Sequence, residues 1–379
     1  MKIMLITSLA SSFLQFRKEL IRHNVDSGRV VQVVAPDFSS GEISIMESLG
    51  CECFPYRCSR GSINPLGDLV ALYDLFRTIR INKPDVVLSY FAKPVVYGSI
   101  AAKLAGTPRV VAMLEGLGYA FTPQPGSKSL GRGVVRSLQC ALYSLAFRFI
   151  DRLIVLNRDD LLDLKRLTSI PAHCELEVFG PIGLDLERLR FAPIDKSAPT
   201  RFIFIGRLLH DKGVLEFLEA ASIVKRRFPS ATFVILGDVD VSNPASIGRD
   251  VVEAFVQEGV VEHKGFVSNV AEELALSHVF VLPSYREGYP RSTQEAMAVG
   301  RAVITTDTAG CRETVVNGRN GFLIPLFDVG ELARKMEFFI LNPRAVQTMG
   351  MESYNMAIAD FDAHKISRRL TMSMLGDLI

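Results

Sequence analysis

The sequence predicts an α/β fold made of two Rossmann-like domains with parallel sheets, and three observations lead to this prediction. Short apolar runs alternate with amphipathic helical patterns along the whole chain, which is typical of parallel strands covered by helices. This alternation begins a second time at Arg201. Between the two series, residues 179 to 183 and 193 to 199 carry Gly and Pro at the density of a hinge. A chain of 379 residues is also longer than one hydrophobic core usually serves.

The first series predicts seven strands. Its first apolar run, after Met1, is too short for a signal peptide and is predicted to be a buried strand. The strands are expected at about residues 2 to 7, 30 to 35, 51 to 55, 85 to 90, 109 to 114, 152 to 156 and 175 to 178. Helical patterns fill the intervals between them, notably at 65 to 82 and 94 to 105.

The second series predicts six more strands, at about residues 201 to 205, 231 to 236, 260 to 263, 278 to 282, 302 to 305 and 321 to 324. A helix is expected from Val214 to Arg227, and another begins near Pro290. We therefore predict a first domain over residues 1–190 and a second over residues 191–360. The last segment, residues 361–379, is helical by pattern and is expected to cross back to the first domain.

Composition and charge exclude several classes of protein. Residues 1–190 contain 23 Lys and Arg against 18 Asp and Glu, a net charge of +5, and the remainder contains 20 against 23, a net charge of −3. This mild asymmetry fits an anionic membrane surface or a phosphorylated substrate better than a nucleic acid. The six cysteines form no Cys-x-x-Cys pair and are predicted to be reduced, structural thiols, and no metal site is expected. No apolar run approaches the ~20 residues that span a bilayer, so a cytoplasmic protein is expected.

Two carboxylates follow the strand predicted at 278 to 282. Glu287 lies just after this strand, and Glu295 lies inside the helix that begins near Pro290. Open α/β sheets bind ligands at the carboxyl ends of their strands, and a carboxylate there can accept hydrogen bonds from sugar or ribose hydroxyls. Two alternatives stay open: Glu295 would close a helix capping box with Ser292, and Glu287 would be an exposed loop acid.

A glycine turn with two cations follows the first strand of the second series. Gly206 and Arg207 lead to Lys212, and the predicted helix from Val214 follows directly. Helix N-terminal amides and two cations together form an anion site, and a diphosphate is the expected ligand. Gly237 ends the next strand, and Phe266 and Val267 follow the one after, where a nucleotide base could lie against the backbone. The alternative is that these glycines are ordinary turn residues and that the two cations lie on a solvated loop.

These segments, together with residues 308 to 313 and 317 to 322, resemble the successive motifs of retaining GT-B glycosyltransferases of family 4. The resemblance implies two Rossmann-like domains that face each other across a cleft, an acceptor-binding first domain and a nucleotide-sugar-binding second domain. Residues 16 to 20 and 115 to 121 are similar to members that add sugars, often N-acetylhexosamines, to polyprenyl-diphosphate-linked saccharides. The donor implied is a UDP-sugar, and the product is an intermediate of O-antigen or another surface glycan.

The resemblance also implies roles for individual residues. Arg207 and Lys212 would hold the donor diphosphate, Glu287 the hydroxyls of the donor sugar, and Glu295 the ribose hydroxyls. The nucleotide-sugar would also contact the residues Gly206, Gly237, Phe266, Val267, Gly288, Tyr289, Pro290 and Arg291.

In the first domain the resemblance implies an acceptor site formed by Arg17, Gly116, Gly118 and Tyr119. Glu115 takes the place of a His that many relatives carry, and it is predicted to be a catalytic residue. A structural acid in the loop is the alternative. Family members usually need no metal and no cofactor, because the nucleotide-sugar is a co-substrate.

A basic amphipathic pattern covers residues 128 to 153. Lys128, Arg132 and Arg136 follow at helical spacing beside an apolar stripe. Such a helix can rest on anionic lipid headgroups, which would make the protein peripheral on the inner face of the cytoplasmic membrane. The solvated back of a domain helix is the alternative. Two other functions also stay open, a nucleotide-sugar 2-epimerase of the same fold and a catalytically silent partner in a glycan-assembly complex.

Overall fold

The computed structural model describes residues 1–58, 64–124, 130–240, 243 and 245–378. The chain divides into two compact units. The first unit comprises Met1–Ala120, Lys128–Gly183 and Ala363–Ile379, and the second comprises Phe121–Ser127 and Leu184–Asp362. The predicted boundary at residue 190 is therefore wrong by several residues. Leu184 already belongs to the second unit because its amide donates to the carbonyl of Phe361, with an N to O distance of 2.7 Å. Residues 121–127 were also predicted in the first domain, and they group with the second unit instead.

The first unit contains one parallel sheet of seven strands. The strands are β1 Lys2–Ile6, β2 Val30–Ala35, β3 Cys51–Pro55, β4 Val86–Tyr90, β5 Arg109–Leu114, β6 Arg152–Val155 and β7 Glu175–Val178. Their order across the sheet is β3-β2-β1-β4-β5-β6-β7. All seven predicted strands are confirmed to within one or two residues, because buried β-branched runs bounded by turn residues mark parallel strands clearly.

Helices cover both faces of this sheet. They are α1 Ser11–Phe16, α2 Lys18–Asp26, α3 Ser40–Ser48, α4 Pro65–Asn82, α5 Ala92–Leu104, α6 Leu130–Ala146 and α7 Arg158–Leu167. Helix α5 packs against both α4 and α6, so these three form one layer. The predicted basic helix is observed as α6, and Lys128 lies outside the described residues.

The second unit contains a parallel sheet of six strands. They are β8 Arg201–Ile205, β9 Thr232–Leu236, β10 Glu262–His263, β11 Val279–Leu282, β12 Ala302–Thr306 and β13 Gly321–Ile324, in the order β10-β9-β8-β11-β12-β13. The helices that belong to this unit are α8 Val214–Arg227, α9 Arg249–Gln257, α10 Val270–Ala275, α11 Arg291–Ala298, α12 Val329–Leu341 and α13 Pro343–Asp360. The strand order reverses at β8, so the loops after β8 and β11 meet at the carboxyl edge, where such sheets bind ligands.

The chain ends with helix α14, Ala363–Leu375, which packs against α2 in the first unit. The side-chain amide of Asn24 donates to the hydroxyl of Thr371 over 2.9 Å, and the Nε of Arg109 donates to the carbonyl of Met374 over 2.9 Å. Ile366, Leu370 and Met374 are buried. The apolar side of this helix therefore completes the core of the first unit.

All six cysteines are free thiols, four of them buried and two half-buried. Burial raises the pKa of Cys51 to about 12 and the pKa values of Cys53, Cys174 and Cys311 to about 11. A thiol with such a pKa is unreactive near neutral pH. The prediction of reduced, structural cysteines is confirmed.

Candidate active site

The residues predicted for the nucleotide-sugar lie at the carboxyl edge of the second sheet. Gly206 and Arg207 follow β8, Gly237 follows β9, and Phe266 and Val267 follow β10. The segment from Glu287 to Arg291 follows β11. The parallel register places all these strand ends at one side of the unit. The structure thus brings together residues that are widely separated in the sequence.

Lys212 and Glu287 form an ion pair at the centre of this edge. The Lys212 Nζ donates to the Glu287 Oε1 over 2.5 Å, and the Ser284 hydroxyl donates to the same oxygen over 2.7 Å. The side chains of Lys212 and Glu287 are 22% and 11% exposed, so the pair is partly desolvated but within reach of a ligand. The cation predicted for the diphosphate and the carboxylate predicted for the sugar are therefore direct partners.

Gly213 explains how Lys212 comes to lie beside Glu287. Lys212 ends a short 3₁₀ turn, and Gly213 has a φ of 71°, in the left-handed region. A Cβ on Gly213 would stand 2.1 Å from the carbonyl oxygen of Pro283, just after β11. Only glycine permits both the turn and this close approach. The start of helix α8 is thereby held against the end of β11, and its amides and dipole point to the same edge.

Gly310 positions the backbone of Glu287 from the other side. Gly310 has a φ of 76°, and a Cβ there would stand 2.2 Å from the Glu287 carbonyl oxygen and 2.6 Å from that of Gly288. The Glu287 amide donates to the carbonyl of Ala309 over 2.9 Å. Gly310 was part of the motif at 308 to 313 but was not among the predicted site residues. Its role depends on a contact between two loops, which spacing along the chain does not show.

Arg207 has a partner that the sequence did not predict. Its Nη1 donates to the Oδ2 of Asp240 over 2.6 Å, and about half of the Arg207 side chain is exposed. The neighbouring acid, Asp238, accepts from the Nη2 of Arg249 over 2.8 Å, and this hydrogen bond lowers the pKa of Asp238. Two acids after β9, Asp238 and Asp240, thus pair with arginines at this edge.

The strand ends at the predicted base site contact one another closely. Gly237 has a φ of 131°, and a Cβ there would stand 1.9 Å from the carbonyl oxygen of Gly206. The Gly237 amide donates to the carbonyl of Gly265 over 2.8 Å. Beyond this contact, Phe266 is 82% exposed, and Val267 is half-buried. An exposed ring next to bare glycine backbone offers a surface on which a planar base can stack.

Glu295 does not form the capping box that was the alternative to a ligand contact. Helix α11 begins at Arg291 with Pro290 as its N-cap, so Ser292 lies within the first turn and no side chain caps the helix. The Glu295 carboxylate instead accepts from the Nε of Arg291 over 2.9 Å. Both side chains remain partly exposed at the same edge as Gly288 and Tyr289.

The residues predicted for the acceptor form a second cluster, in the first unit. Arg17 is 1% exposed and pairs with the Glu115 carboxylate, and its guanidinium lies 5.1 Å from the centre of the Tyr90 ring. Gly116 and Gly118 have φ values of 126° and 78°. They shape the loop that follows β5.

Tyr119, at the end of this loop, is exposed, and the guanidinium of Arg132 lies 5.2 Å from the centre of its ring. Because Arg17 is buried, its charge acts on Glu115 instead of facing solvent.

The described part of the chain contains no group of three or more His, Cys, Asp or Glu side chains that could hold a metal ion. At the carboxyl edge of the second sheet, Arg207, Lys212 and the N-terminus of α8 supply positive charge. Cations, helix amides and flanking carboxylates in this arrangement suit a ligand with both phosphates and hydroxyls.

Comparison with known proteins gives the family. The model of glycosyl transferases group 1 matches residues 199–342, and the model of glycosyl transferase 4-like domains matches residues 2–157. The chain is 29% identical over 354 residues to the N,N'-diacetylbacillosaminyl-diphospho-undecaprenol alpha-1,3-N-acetylgalactosaminyltransferase of Campylobacter jejuni, covering 90% of this chain and 89% of the relative. It is also 29% identical to the UDP-Gal:alpha-D-GlcNAc-diphosphoundecaprenol alpha-1,3-galactosyltransferase of Escherichia coli, covering 71% and 69%.

Solved structures show the same fold. Anabaena HepE in complex with UDP superposes with a TM-score of 0.77 at 18% identity, covering 98% of this chain and 99% of that one. The sucrose-phosphate synthase of Thermosynechococcus elongatus superposes with a TM-score of 0.79 at 16% identity, covering 98% of both chains. One family model matches each half of the chain, the two relatives are matched over 89% and 69% of their length, and the fold is shared. These findings agree with the motifs at the carboxyl edge. The chain therefore belongs to the retaining GT-B glycosyltransferases of family 4.

Proposed function

We propose that this glycosyltransferase moves an N-acetylhexosamine from a UDP-sugar onto a polyprenyl-diphosphate-linked saccharide during surface glycan synthesis. The relative from Campylobacter jejuni is named for N-acetylgalactosamine transfer to an undecaprenol-linked acceptor, and its match extends over 90% of this chain. The Escherichia coli relative is named for a UDP-sugar donor and a diphosphoundecaprenol acceptor. Both names describe one reaction class on one kind of acceptor.

The observation that carries the proposal is the Lys212–Glu287 pair, with 2.5 Å between the Lys212 Nζ and the Glu287 Oε1. We expect the donor to bind by exchanging this contact for two others. The ammonium of Lys212 would turn to the diphosphate, and the carboxylate of Glu287 would accept hydrogen bonds from hydroxyls of the donor sugar. Each group would keep a partner of suitable charge or polarity, so the exchange leaves no buried charge unpaired.

In the reaction, the bond between the sugar carbon and the diphosphate oxygen breaks, and negative charge grows on the departing UDP. Arg207, Lys212 and the amides at the start of α8 would stabilise this charge in place. Arg207 would leave Asp240 to do so. With retention of configuration, we infer that the acceptor hydroxyl attacks from the face that the UDP leaves, within a short-lived ion pair. The acceptor oxygen forms the new bond to the sugar carbon, and its proton passes to the departing diphosphate oxygen.

The nucleotide would occupy the glycine-lined strand ends. The base would lie against the backbone near Gly237 and contact Phe266 and Val267, and Glu295 would accept from the ribose hydroxyls. Glu295 already accepts from Arg291, so we expect the ribose to share or replace that contact. Backbone groups from Gly288 to Arg291 would contact the phosphate or the sugar.

For the first unit we propose an acceptor site beside Glu115. The buried Arg17 would hold the Glu115 carboxylate in one orientation, since a charge-assisted pair resists rotation of the side chain. Gly116, Gly118 and Tyr119 would line the path of the acceptor saccharide. The enzyme would act in the cytoplasm, on the inner face of the membrane that holds its lipid-linked acceptor.

We also propose that the reaction needs no metal, because Arg207 and Lys212 supply positive charge where the diphosphate would bind. Activity that survives treatment with EDTA supports this, and activity that is lost and returns only with a divalent cation contradicts it.

The test of the proposed function is a transfer assay. Purified protein is incubated with undecaprenyl-diphosphate-linked saccharide and, in turn, the UDP forms of N-acetylglucosamine, N-acetylgalactosamine, glucose and galactose. We expect an extended lipid-linked product with one of the N-acetylhexosamine donors. Isomerised donor released without acceptor would identify a 2-epimerase instead. Failure to bind any nucleotide in a thermal-shift screen would favour a catalytically silent partner.

A further inference from the structure

A fully buried tyrosine ends the central strand of the first sheet. Tyr90 is the last residue of β4, and β4 lies between β1 and β5. In the register of the sheet, Tyr90 is the partner of Met113 on β5, so the two side chains point to the same face. Glu115 follows directly after β5. Tyr90 therefore lies beside the strand end that leads into the proposed acceptor site.

The ring of Tyr90 supports the buried guanidinium of Arg17, whose central carbon lies 5.1 Å from the ring centre. The strong acceptor for Arg17 is the Glu115 carboxylate. Arg17 also donates to the Phe16 carbonyl over 3.1 Å and to the Met113 sulfur over 3.4 Å, and a thioether sulfur is a weak acceptor. Its Nε has no hydrogen-bond partner among the described residues. A buried cation with few strong acceptors is stabilised by the face of an aromatic ring, because this attraction strengthens where water is excluded.

The hydroxyl of Tyr90 fixes the other end of the ring. It lies 3.1 Å from the hydroxyl of Ser12 in α1, and Ser12 donates its own proton to the Leu9 carbonyl over 2.6 Å. The Tyr90 hydroxyl is therefore the donor to the Ser12 oxygen. The hydroxyl of Thr7, just after β1, lies 3.1 Å from the same oxygen, and all three hydroxyl side chains are buried. The loop after β1 thus holds the Tyr90 ring in one orientation.

The backbone directly after Tyr90 is strained. Phe91 has a φ of 70° and a ψ of 160°, a combination that is essentially restricted to glycine. Its carbonyl accepts from the Val95 amide over 3.0 Å, and its ring centre lies 5.1 Å from that of Tyr90. Such a conformation persists only where the surroundings fix it, and it is frequent at functional sites. The strain at Phe91 is thus an independent indication that the placement of Tyr90 serves the site.

We propose that Tyr90 is a positioning residue for transfer to the acceptor. Its ring holds the Arg17 guanidinium against Glu115, and its hydroxyl connects this pair to the loop after β1. The Glu115 carboxylate then meets a hydroxyl of the acceptor saccharide in a fixed place. This inference rests on the proposed function, which places the acceptor beside Glu115. It also changes the role expected for Arg17, because a side chain that is 1% exposed positions Glu115 and does not itself face a saccharide.

The test is a double-mutant cycle on kcat/KM for the acceptor, measured with the full chain, saturating UDP-sugar and a short-chain, water-soluble diphosphate-linked saccharide. The variants are Tyr90→Met, which removes the ring and keeps much of its volume, Glu115→Gln, and the two combined. We expect Tyr90→Met to lower this kcat/KM about tenfold or more. In the Glu115→Gln background the same substitution should have little further effect, because Tyr90 acts through Glu115. Tyr90→Phe keeps the ring and should retain most of the rate.

Tyr143 offers the matched control, because it is a second fully buried tyrosine of the first unit with different partners. Its ring stacks on that of Phe147 with 5.7 Å between the centres, and its hydroxyl accepts from the Gln139 amide over 2.7 Å. Tyr143→Met should lower the melting temperature as Tyr90→Met does, and should leave the acceptor kcat/KM of the folded protein within about twofold. The Kd for UDP, measured by isothermal titration, should stay unchanged in both variants. If Tyr90→Met does not fold, Tyr90→Leu replaces it in the cycle.

Two results would overturn the positioning role of Tyr90. One is an equal loss of acceptor kcat/KM in the Tyr90→Met and Tyr143→Met variants, which would show a general effect of a damaged core. The other is an equal loss from Tyr90→Met with and without Glu115→Gln, which would show that Tyr90 does not act through Glu115.

Failure of this inference is distinguishable from failure of the proposed function. Unmodified protein that extends no polyprenyl-linked saccharide but extends a different saccharide contradicts the proposed function. The cycle is then measured with that saccharide and still decides the role of Tyr90. Protein that extends the lipid-linked saccharide while the cycle gives independent losses contradicts the role of Tyr90 alone.

Discussion

At the scale of single residues, the site in the second unit is a set of charged groups that already satisfy one another. Lys212 pairs with Glu287, Arg207 with Asp240 and Arg291 with Glu295. Such pairs keep partly buried charges compensated. A ligand that carries both phosphate and hydroxyl groups can replace each partner with one of the same character.

The first prediction concerns the central pair. We expect Lys212→Ala and Glu287→Ala each to lower turnover by about 10²-fold or more, because each removes a contact to the part of the donor where charge develops. Steady-state transfer assays with melting curves measure this. Arg319→Ala is the matched control, since Arg319 forms an exposed ion pair with Glu352 elsewhere in the same unit. Near-normal turnover in both variants would show that Lys212 and Glu287 are not catalytic residues.

The second prediction concerns His278, which is buried between β8 and the linker. Its Nδ1 accepts from the Arg201 amide over 3.1 Å, and its Nε2 donates to the Asp195 carbonyl over 3.0 Å. A ring with one accepting and one donating nitrogen is neutral, so these two hydrogen bonds require the neutral form of His278. Burial, with the charges of Arg301 and Arg201, lowers the pKa of His278 below the ordinary 6.5. The unfolded chain therefore binds the proton more tightly, and stability is lost as the pH falls below about 6.5 through the folded pKa.

We expect the free energy of unfolding in urea to decrease between about pH 7.5 and about pH 5.5, and His278→Gln to reduce that decrease. His23, whose pKa is also lowered by burial, contributes in the same direction, so His23→Gln serves as the comparison. If His278→Gln leaves the pH dependence of the unfolding free energy unchanged, the buried neutral ring of His278 does not cause that pH dependence.

At the scale of elements, two glycine contacts hold the site loops together. Gly213 sets the start of α8 against the end of β11, and Gly310 sets the loop after β12 against Glu287. The backbone atoms involved come within distances that any Cβ would prevent. The element boundaries themselves were predictable from apolar periodicity, but these contacts between loops were not.

The third prediction tests the contact at Gly310. Gly310→Ala should weaken UDP binding by about tenfold or more, because its Cβ would displace the carbonyls of Glu287 and Gly288. Isothermal titration with UDP measures the effect. Gly318→Ala is the control, since Gly318 has a similar φ of 81° but a Cβ there meets nothing within 4 Å. If the two substitutions weaken UDP binding equally, the cause is backbone strain at a left-handed position and not displacement of the Glu287 loop.

At the scale of the whole molecule, Leu184–Asp362 belong to the second unit, and the chain returns to the first unit at Ala363. Each unit has its own sheet. Helix α14, at the C-terminal end of the chain, completes the hydrophobic core of the first unit. No helix among the described residues is long and apolar enough to cross a bilayer.

The fourth prediction is that truncation after Asp362 destabilises the first unit selectively. The loss of Ile366, Leu370, Met374 and Leu375 exposes apolar surface worth roughly 6 kcal/mol. Hydrogen exchange should become faster in α2 and β4, which α14 contacts, and stay unchanged in β8 and β9. Truncation after Leu375 keeps α14 and is the control. Equal exchange in α2 before and after removal of α14 would contradict this role.

The sequence by itself determined the strands, the restart of the pattern and the motif residues of the second unit, because apolar periodicity and turn chemistry act locally along the chain. It also pointed to Glu287 and Lys212, although not to their contact. The tertiary structure alone decided that Arg17 is buried against Glu115, that Glu295 pairs with Arg291 instead of capping a helix, and that Gly310 supports Glu287. These outcomes depend on which residues the packing of strands and loops brings within a few ångströms, and distance along the chain does not encode that.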